Sequence, residues 1–212
     1  MKKLLLILLC LPLLFTTCKK EDEPTNNTGN NSTQTYVPDD NFENYLETHN
    51  SNGSIVSLGS PNSMGNGIPN DDYVTTANIN TVTYLSCSDS IADLTGIEDF
   101  TTLTNLDCED NQLTSLDVSN NIDLIALYCH NNQLTSLDVS NNTALITLDC
   151  ELNQLTSLDV RNGNNVNMLG PDFTYNDNLN CIDVDDVNWS TANWTVANGN
   201  IDPQQYFSEN CP

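Results

Sequence analysis

A block of 21 residues repeats in unbroken register from Leu103 to Asp186, and a chain written this way has to fold by stacking copies of one unit. Aligned, the turns read LTNLDCEDNQLTSLDVSNNID, LIALYCHNNQLTSLDVSNNTA, LITLDCELNQLTSLDVRNGNN and a degraded VNMLGPDFTYNDNLNCIDVDD. An irregular earlier turn, VTYLSCSDSIADLTGIEDFTT, fills residues 82–102 at the same period. One block cannot bury its own apolar residues; stacked copies bury them in a continuous column.

In the second turn Leu103, Leu106, Cys108, Leu113, Leu116 and Val118 are the inward set. The pattern LxxLxC followed by LxxN is the leucine-rich-repeat signature. Residues 105–109 alternate in and out and predict one strand per turn of a parallel sheet. The return path is rich in Thr, Ser, Asp and Asn, which favour turns over helix interiors, so it is expected to be extended or irregular. The predicted fold is a leucine-rich-repeat solenoid of about five turns, roughly 24 Å long, with the parallel β-sheet on its concave face. A short helical cap covers the N-terminal end, and a disulfide-closed cap the C-terminal end.

Asn111, Asn132 and Asn153 share one repeat position, where an inward amide can bond the backbone groups exposed at a bend. Asp117, Asp138 and Asp159 share another and are expected to bond the backbone of the following Ser-Asn-Asn or Arg-Asn-Gly. Cys87, Cys108, Cys129 and Cys150 form an inward ladder. Four sulfurs in a line cannot surround one zinc ion, and parallel neighbours about 4.8 Å apart sit beyond the Cβ range of a disulfide. They are expected to be reduced and buried, acting as small apolar residues. Cys181 and Cys211 flank the last segment, and in an exported chain such a pair reads as a disulfide.

Export is indicated by the start. Met1-Lys2-Lys3 precedes a dozen apolar residues, too few to span a bilayer, which is the form of a signal peptide over residues 1–17. Leu14-Phe15-Thr16-Thr17-Cys18 resembles a bacterial lipobox, which would make Cys18 a lipid anchor. Lys19-Lys20-Glu21-Asp22-Glu23 is similar to the Lys-then-acidic signal that sends Bacteroidota-type lipoproteins to the outer cell surface. Residues 18–35 then read as a polar tether, 36–81 as the N-terminal cap, 82–186 as repeats and 187–212 as the C-terminal cap. The formal charge is −24, and −26 once Lys2 and Lys3 leave with the leader. Such a surface repels phosphate backbones and anionic lipid, so nucleic acid is excluded as a partner and the membrane is met only through the lipid anchor.

At the N-terminal end Asp40-Asn41-Phe42-Glu43 has the form of a capping box, with Phe42, Tyr45 and Leu46 on one helical face. Asn66, Asn70, Asp71 and Asp72 match no calcium-loop spacing; no metal or cofactor is implied. At the C-terminal end Thr174 and Asn176 replace the expected Asn and Leu, and Trp189, Trp194, Ile201, Tyr206 and Phe207 supply an apolar lid. Asp202-Pro203-Gln204-Gln205 predicts a terminal helical turn. Taken together, the turns LxxLxCxxNQLTSLDVSNN, the segment PDDNFENYL…DDYVTTANINTVTYL and IADLTGIEDF resemble the cysteine-ladder class of internalin-like leucine-rich-repeat proteins. NLNCIDVDDVNWSTANW…SENC is similar to the ending of Bacteroidota surface repeat proteins. The resemblance covers about residues 37–211 and implies adhesion or protein binding at the cell surface, here as an outer-membrane lipoprotein facing the exterior.

Outward strand residues of successive turns should form one concave surface: Tyr84, Ser86 and Ser88; Asn105, Asp107 and Glu109; Ala126, Tyr128 and His130; Thr147, Asp149 and Glu151. These positions vary while the framework repeats almost letter for letter. Tyr84, Tyr128 and His130 are the expected anchors for a protein or glycan ligand, since aromatics dominate binding hot spots. A passive structural component of the envelope fits the same pattern. Catalysis is the remote alternative. His130 adjoins Cys129, but successive strand residues point to opposite faces. Asp107, Glu109, Asp149 and Glu151 could act as a carboxylate pair only in an enclosed pocket. No catalytic residue is assigned.

Overall fold

The computed structural model describes residues 33–88 and 90–212, all within one compact unit. The leader, Cys18 and nearly all of the expected tether lie outside the described residues, as does Asp89. The chain enters through β1 (Gln34–Tyr36), antiparallel to β2 (Tyr73–Thr75), with α1 (Asp40–Thr48) between them and the single-turn α2 (Thr76–Ile79) after them. The ordered fold therefore begins before the expected boundary at residue 36: Thr35 is buried, and its hydroxyl donates to Asp99 beside the first turn.

The repeat then builds two parallel sheets. Front strands β3 (Tyr84–Ser86), β4 (Asn105–Asp107), β5 (Ala126–Tyr128) and β7 (Thr147–Asp149) pair residue for residue at the repeat period, while β6 (Ser136–Asp138), β8 (Ser157–Asp159), β9 (Cys181–Asp183) and β10 (Tyr206–Ser208) form the back sheet. The return path is thus extended, pairing over three residues at a time. Leu85, Leu106, Leu127 and Leu148 stand opposite one another and are at most 1% exposed. Each buried leucine contributes about 1.5–3 kcal/mol, and stacking is what buries it. Leu116 belongs to the inward set and packs against the core, but is its least buried member. No back strand forms at residues 115–117, and Leu116 is only partly buried, against a shallow groove.

The register is not unbroken, which corrects the reading of the last turn. It holds through Val160 and then slips over residues 162–167, so Met168 rather than Val166 enters the core and Val166 is exposed. Phe173 takes the position of the ladder cysteines, and Asn176, expected to stand in for a leucine, takes the ladder asparagine position. Asp172 bridges to Asp149 as the front sheet's next rung.

Both ends are sealed as their apolar content demands, with two local corrections. The N-cap of α1 is Asp39, not Asp40: its Oδ1 accepts from the Asn41 and Phe42 amides, and its Oδ2 accepts from Ala92 and Asp93, tying the cap to the first turn. Glu43 does not close a box but turns inward with Glu47. Glu43 accepts from the amides of Asp71 and Asp72, and Glu47 from those of Asn66 and Gly67. A side chain at Gly65 would collide with the Glu47 carboxylate. At the other end α3 (Val187–Asn193), capped by Asp186, holds Trp194 edge-on to Phe173, Trp189 and Phe207. Residues 202–205 make a turn rather than a helix: Gln205 accepts from the Asp202 amide and donates to the Phe173 carbonyl, and the chain leaves into β10. Cys181 and Cys211 are disulfide-bonded. Among the described residues no helix is long and apolar enough to cross a membrane.

Candidate binding face

The bend after each front strand leaves carbonyls pointing into the core, and one amide per turn satisfies them. Asn132 donates to the carbonyls of Cys108, Cys129 and His130 and accepts from Leu113, a pattern shared by Asn111, Asn153 and Asn176. A second asparagine column lines the return path: Asn121 donates to Ile97 and Phe100, and Asn142 to Val118 and Asn121. Sequence reasoning missed it, because Ser-Asn-Asn reads as turn residues; the signal was the second Asn recurring at the repeat period. The Asp column bonds locally, Asp117, Asp138 and Asp159 accepting from the amides of Ser119, Ser140 and Arg161.

Cys87, Cys108, Cys129 and Cys150 are buried and form no disulfide. Burial pushes the Cys108, Cys129 and Cys150 thiols well above their ordinary range, so they stay protonated and unreactive. Cys129 is fully buried while His130 faces out, so the adjacent pair cannot work as nucleophile and base.

The frame fixes what its outward residues share. Tyr84 and Ser86, Asn105 and Asp107, Ala126 and Tyr128, and Thr147 and Asp149 lie side by side across the front sheet, followed by Glu109, His130 and Glu151 one step beyond the strands. Tyr84 is half exposed, Tyr128 partly so, and Ala126 is buried between its neighbours. His130 sits between two carboxylates on adjoining turns, Nε2 lying 3.0 Å from Glu109 Oε2 and Nδ1 3.2 Å from Asp149 Oδ2. The second is a close approach without a hydrogen bond, since Nδ1 finds no partner in good geometry. Ser86 donates to Asp107.

Asp172 joins this surface through the register slip, which is why counting by 21 did not find it. Burial raises the Asp149 pKa, with Asp172 adding to it and the Glu151 amide and His130 working against it. Glu151 is raised by burial, then by Asp172 and Asp149. The face is therefore acidic and underneutralised at its C-terminal end. On the N-terminal cap, Asp40, Glu43 and Asp72 bring carboxylate oxygens within 4.8 Å of one another; of the four loop residues considered for calcium only Asp72 takes part, and Asn66 instead donates to Asp71 and the Tyr73 carbonyl.

The fold and its asparagine and cysteine columns define a leucine-rich-repeat solenoid. Among solved structures the chain is similar to the functional domain of InlJ from Listeria monocytogenes, which includes a cysteine ladder: identity is 31% over 72% of this chain and 33% of that one, with a TM-score of 0.51. It is also similar to an internalin, inlF, from Listeria monocytogenes str. 4b F2365, at 26% identity over 53% of this chain and 37% of that one, with a TM-score of 0.41. The chain spans about a third of the length of either. No protein-family model and no curated protein matches it.

Proposed function

We propose that the chain is a non-enzymatic recognition or adhesion module that binds a protein, or a glycan, on its concave face at the cell surface. Cys18 is the proposed lipid anchor and the outer membrane the proposed location. One observation carries the reading: residues that differ from turn to turn are gathered by an almost invariant frame into one continuous surface, with Tyr84 at one edge and Tyr128 and His130 near the centre. Likeness to the InlJ domain, which includes a cysteine ladder of its own, supports the frame on which the reading stands.

The test is retention of partners from envelope or host extracts by residues 33–212, which keep β1, against the Tyr84→Ala/Tyr128→Ala variant. Both rings are solvent-facing, so melting should be unchanged while a specifically held partner is lost. Equal retention by the variant would remove this face and favour a structural role or a site on the caps.

A further inference from the structure

At the bends after β4, β5, β7 and the Asp172 rung one residue takes the left-handed conformation: Asp110 (φ 55°), Asn131 (φ 53°), Leu152 (φ 53°) and Tyr175 (φ 55°). Asp and Asn tolerate it, and here they bond one another across the turns. Leu152 and Tyr175 do not suit it, and their large apolar side chains stand 46% and 63% exposed on adjacent turns.

Tyr175 forms one wall of a cleft of about 370 Å³ between the last turn and the C-terminal cap. Val196 and Ile201 supply further apolar surface, and Glu151, Asp172 and Asp202 the rim. Glu151 and Asp172 share that rim, and two carboxylates side by side repel each other when both are ionised unless a cation lies between them. No described residue supplies the cation. His130 is engaged by Glu109 and Asp149, and Arg161, the one Lys or Arg among the described residues, is held by Asp159 on the back sheet. An apolar wall beside a carboxylate pair matches a side chain with an aliphatic stem and a cationic head. A bare metal ion has no use for the wall, and a neutral sugar can donate hydroxyls to the carboxylates but brings no positive charge to offset them.

We propose that this cleft seats a lysine or arginine side chain from an extended segment of the partner protein. The proposal rests on the recognition reading above and names the partner chemistry at one end of that face. The test is titration of the full chain with acetylated, amidated tetralysine at fixed ionic strength, beside a tetraglutamine peptide and calcium chloride. Tyr175→Asn, in which Asn suits the backbone, and Glu151→Gln/Asp172→Asn should each weaken tetralysine binding about tenfold or more. Asp117→Asn/Asp123→Asn, which removes equal charge away from the cleft, should leave it within about twofold. Equal weakening by that control, or affinity indifferent to Tyr175→Asn, would overturn the proposal. So would saturable calcium binding lost with the two rim carboxylates yet unmoved by Tyr175→Asn. The Tyr84→Ala/Tyr128→Ala variant should bind the peptide normally. A failed titration therefore overturns the cleft alone, and a partner retained by the double-tyrosine variant overturns the face-wide reading alone.

Discussion

Asn132 shows how much of a solenoid can hang on one side chain. Its amide meets the Cys108 and Cys129 carbonyls and the Leu113 N–H, all buried, and adds a bond to the part-buried His130 carbonyl. Each buried group left without a partner costs about 1–3 kcal/mol, so Asn132→Ala should lower unfolding free energy by about 3–5 kcal/mol in urea titration. Cys129→Ala, which leaves only a small void, should cost about 1 kcal/mol. A loss at Asn132 no larger than at Cys129 would mean the turn can rearrange around the missing amide. Position within the repeat made Asn132 legible in the sequence. Glu43 and Glu47 were not: a carboxylate on a short amphipathic helix normally faces water, and only the fold of residues 65–72 over α1 shows that each one serves loop amides.

Elements gather such residues into surfaces, and the pairing of β5 with β7 places Tyr128 beside Asp149. Asp149 and Glu151 have pKa values raised chiefly by burial, with Asp172 adding to both. A raised folded-state pKa means that the native state holds the proton more tightly than the unfolded chain does. The stability so linked is fully present below the ordinary carboxyl range, near pH 4, and is lost as pH rises through the shifted values. Asp149→Asn/Glu151→Gln mimics the protonated pair, and the amide oxygen introduced at position 149 can still accept from the backbone N–H of residue 151. The variant should therefore melt above wild type at pH 7, by about 1 kcal/mol or less after solvent screening, with the difference closing toward pH 4. A difference constant with pH would trace the effect to packing instead. The slip at residues 162–167 hid Asp172 from the sequence for a physical reason. Val166 and Met168 are both apolar, so pattern counting is satisfied by the wrong one, and only packing decides that the longer side chain goes in.

Along the described stack each turn pairs chiefly with its neighbours, so stability is set along a line and the ends matter most. The N-terminal end is tied by Asp39 to the amides of Ala92 and Asp93. The C-terminal end is tied three ways: Arg161 donates to the Glu209 carbonyl, the Cys211 amide to Asp183, and Cys181 is bonded to Cys211 across 30 residues. Closing a loop of that length removes enough unfolded-state entropy to stabilise the native chain by about 3–4 kcal/mol. In a fully cooperative domain Cys181→Ala/Cys211→Ala would lower amide protection by the same factor everywhere. In a line of turns the loss should instead be graded. Hydrogen exchange should accelerate most in α3, β9 and β10, less in β8 and β6, and least in β3 and α1, whose cap the substitution does not touch. A uniform loss would show that the two sheets, which enclose one apolar core, bind the turns into a single cooperative unit. A graded one would leave the C-terminal cleft as the part of the binding face whose order depends most on the disulfide, so that reduction weakens tetralysine binding before it loosens Tyr84 at the other end.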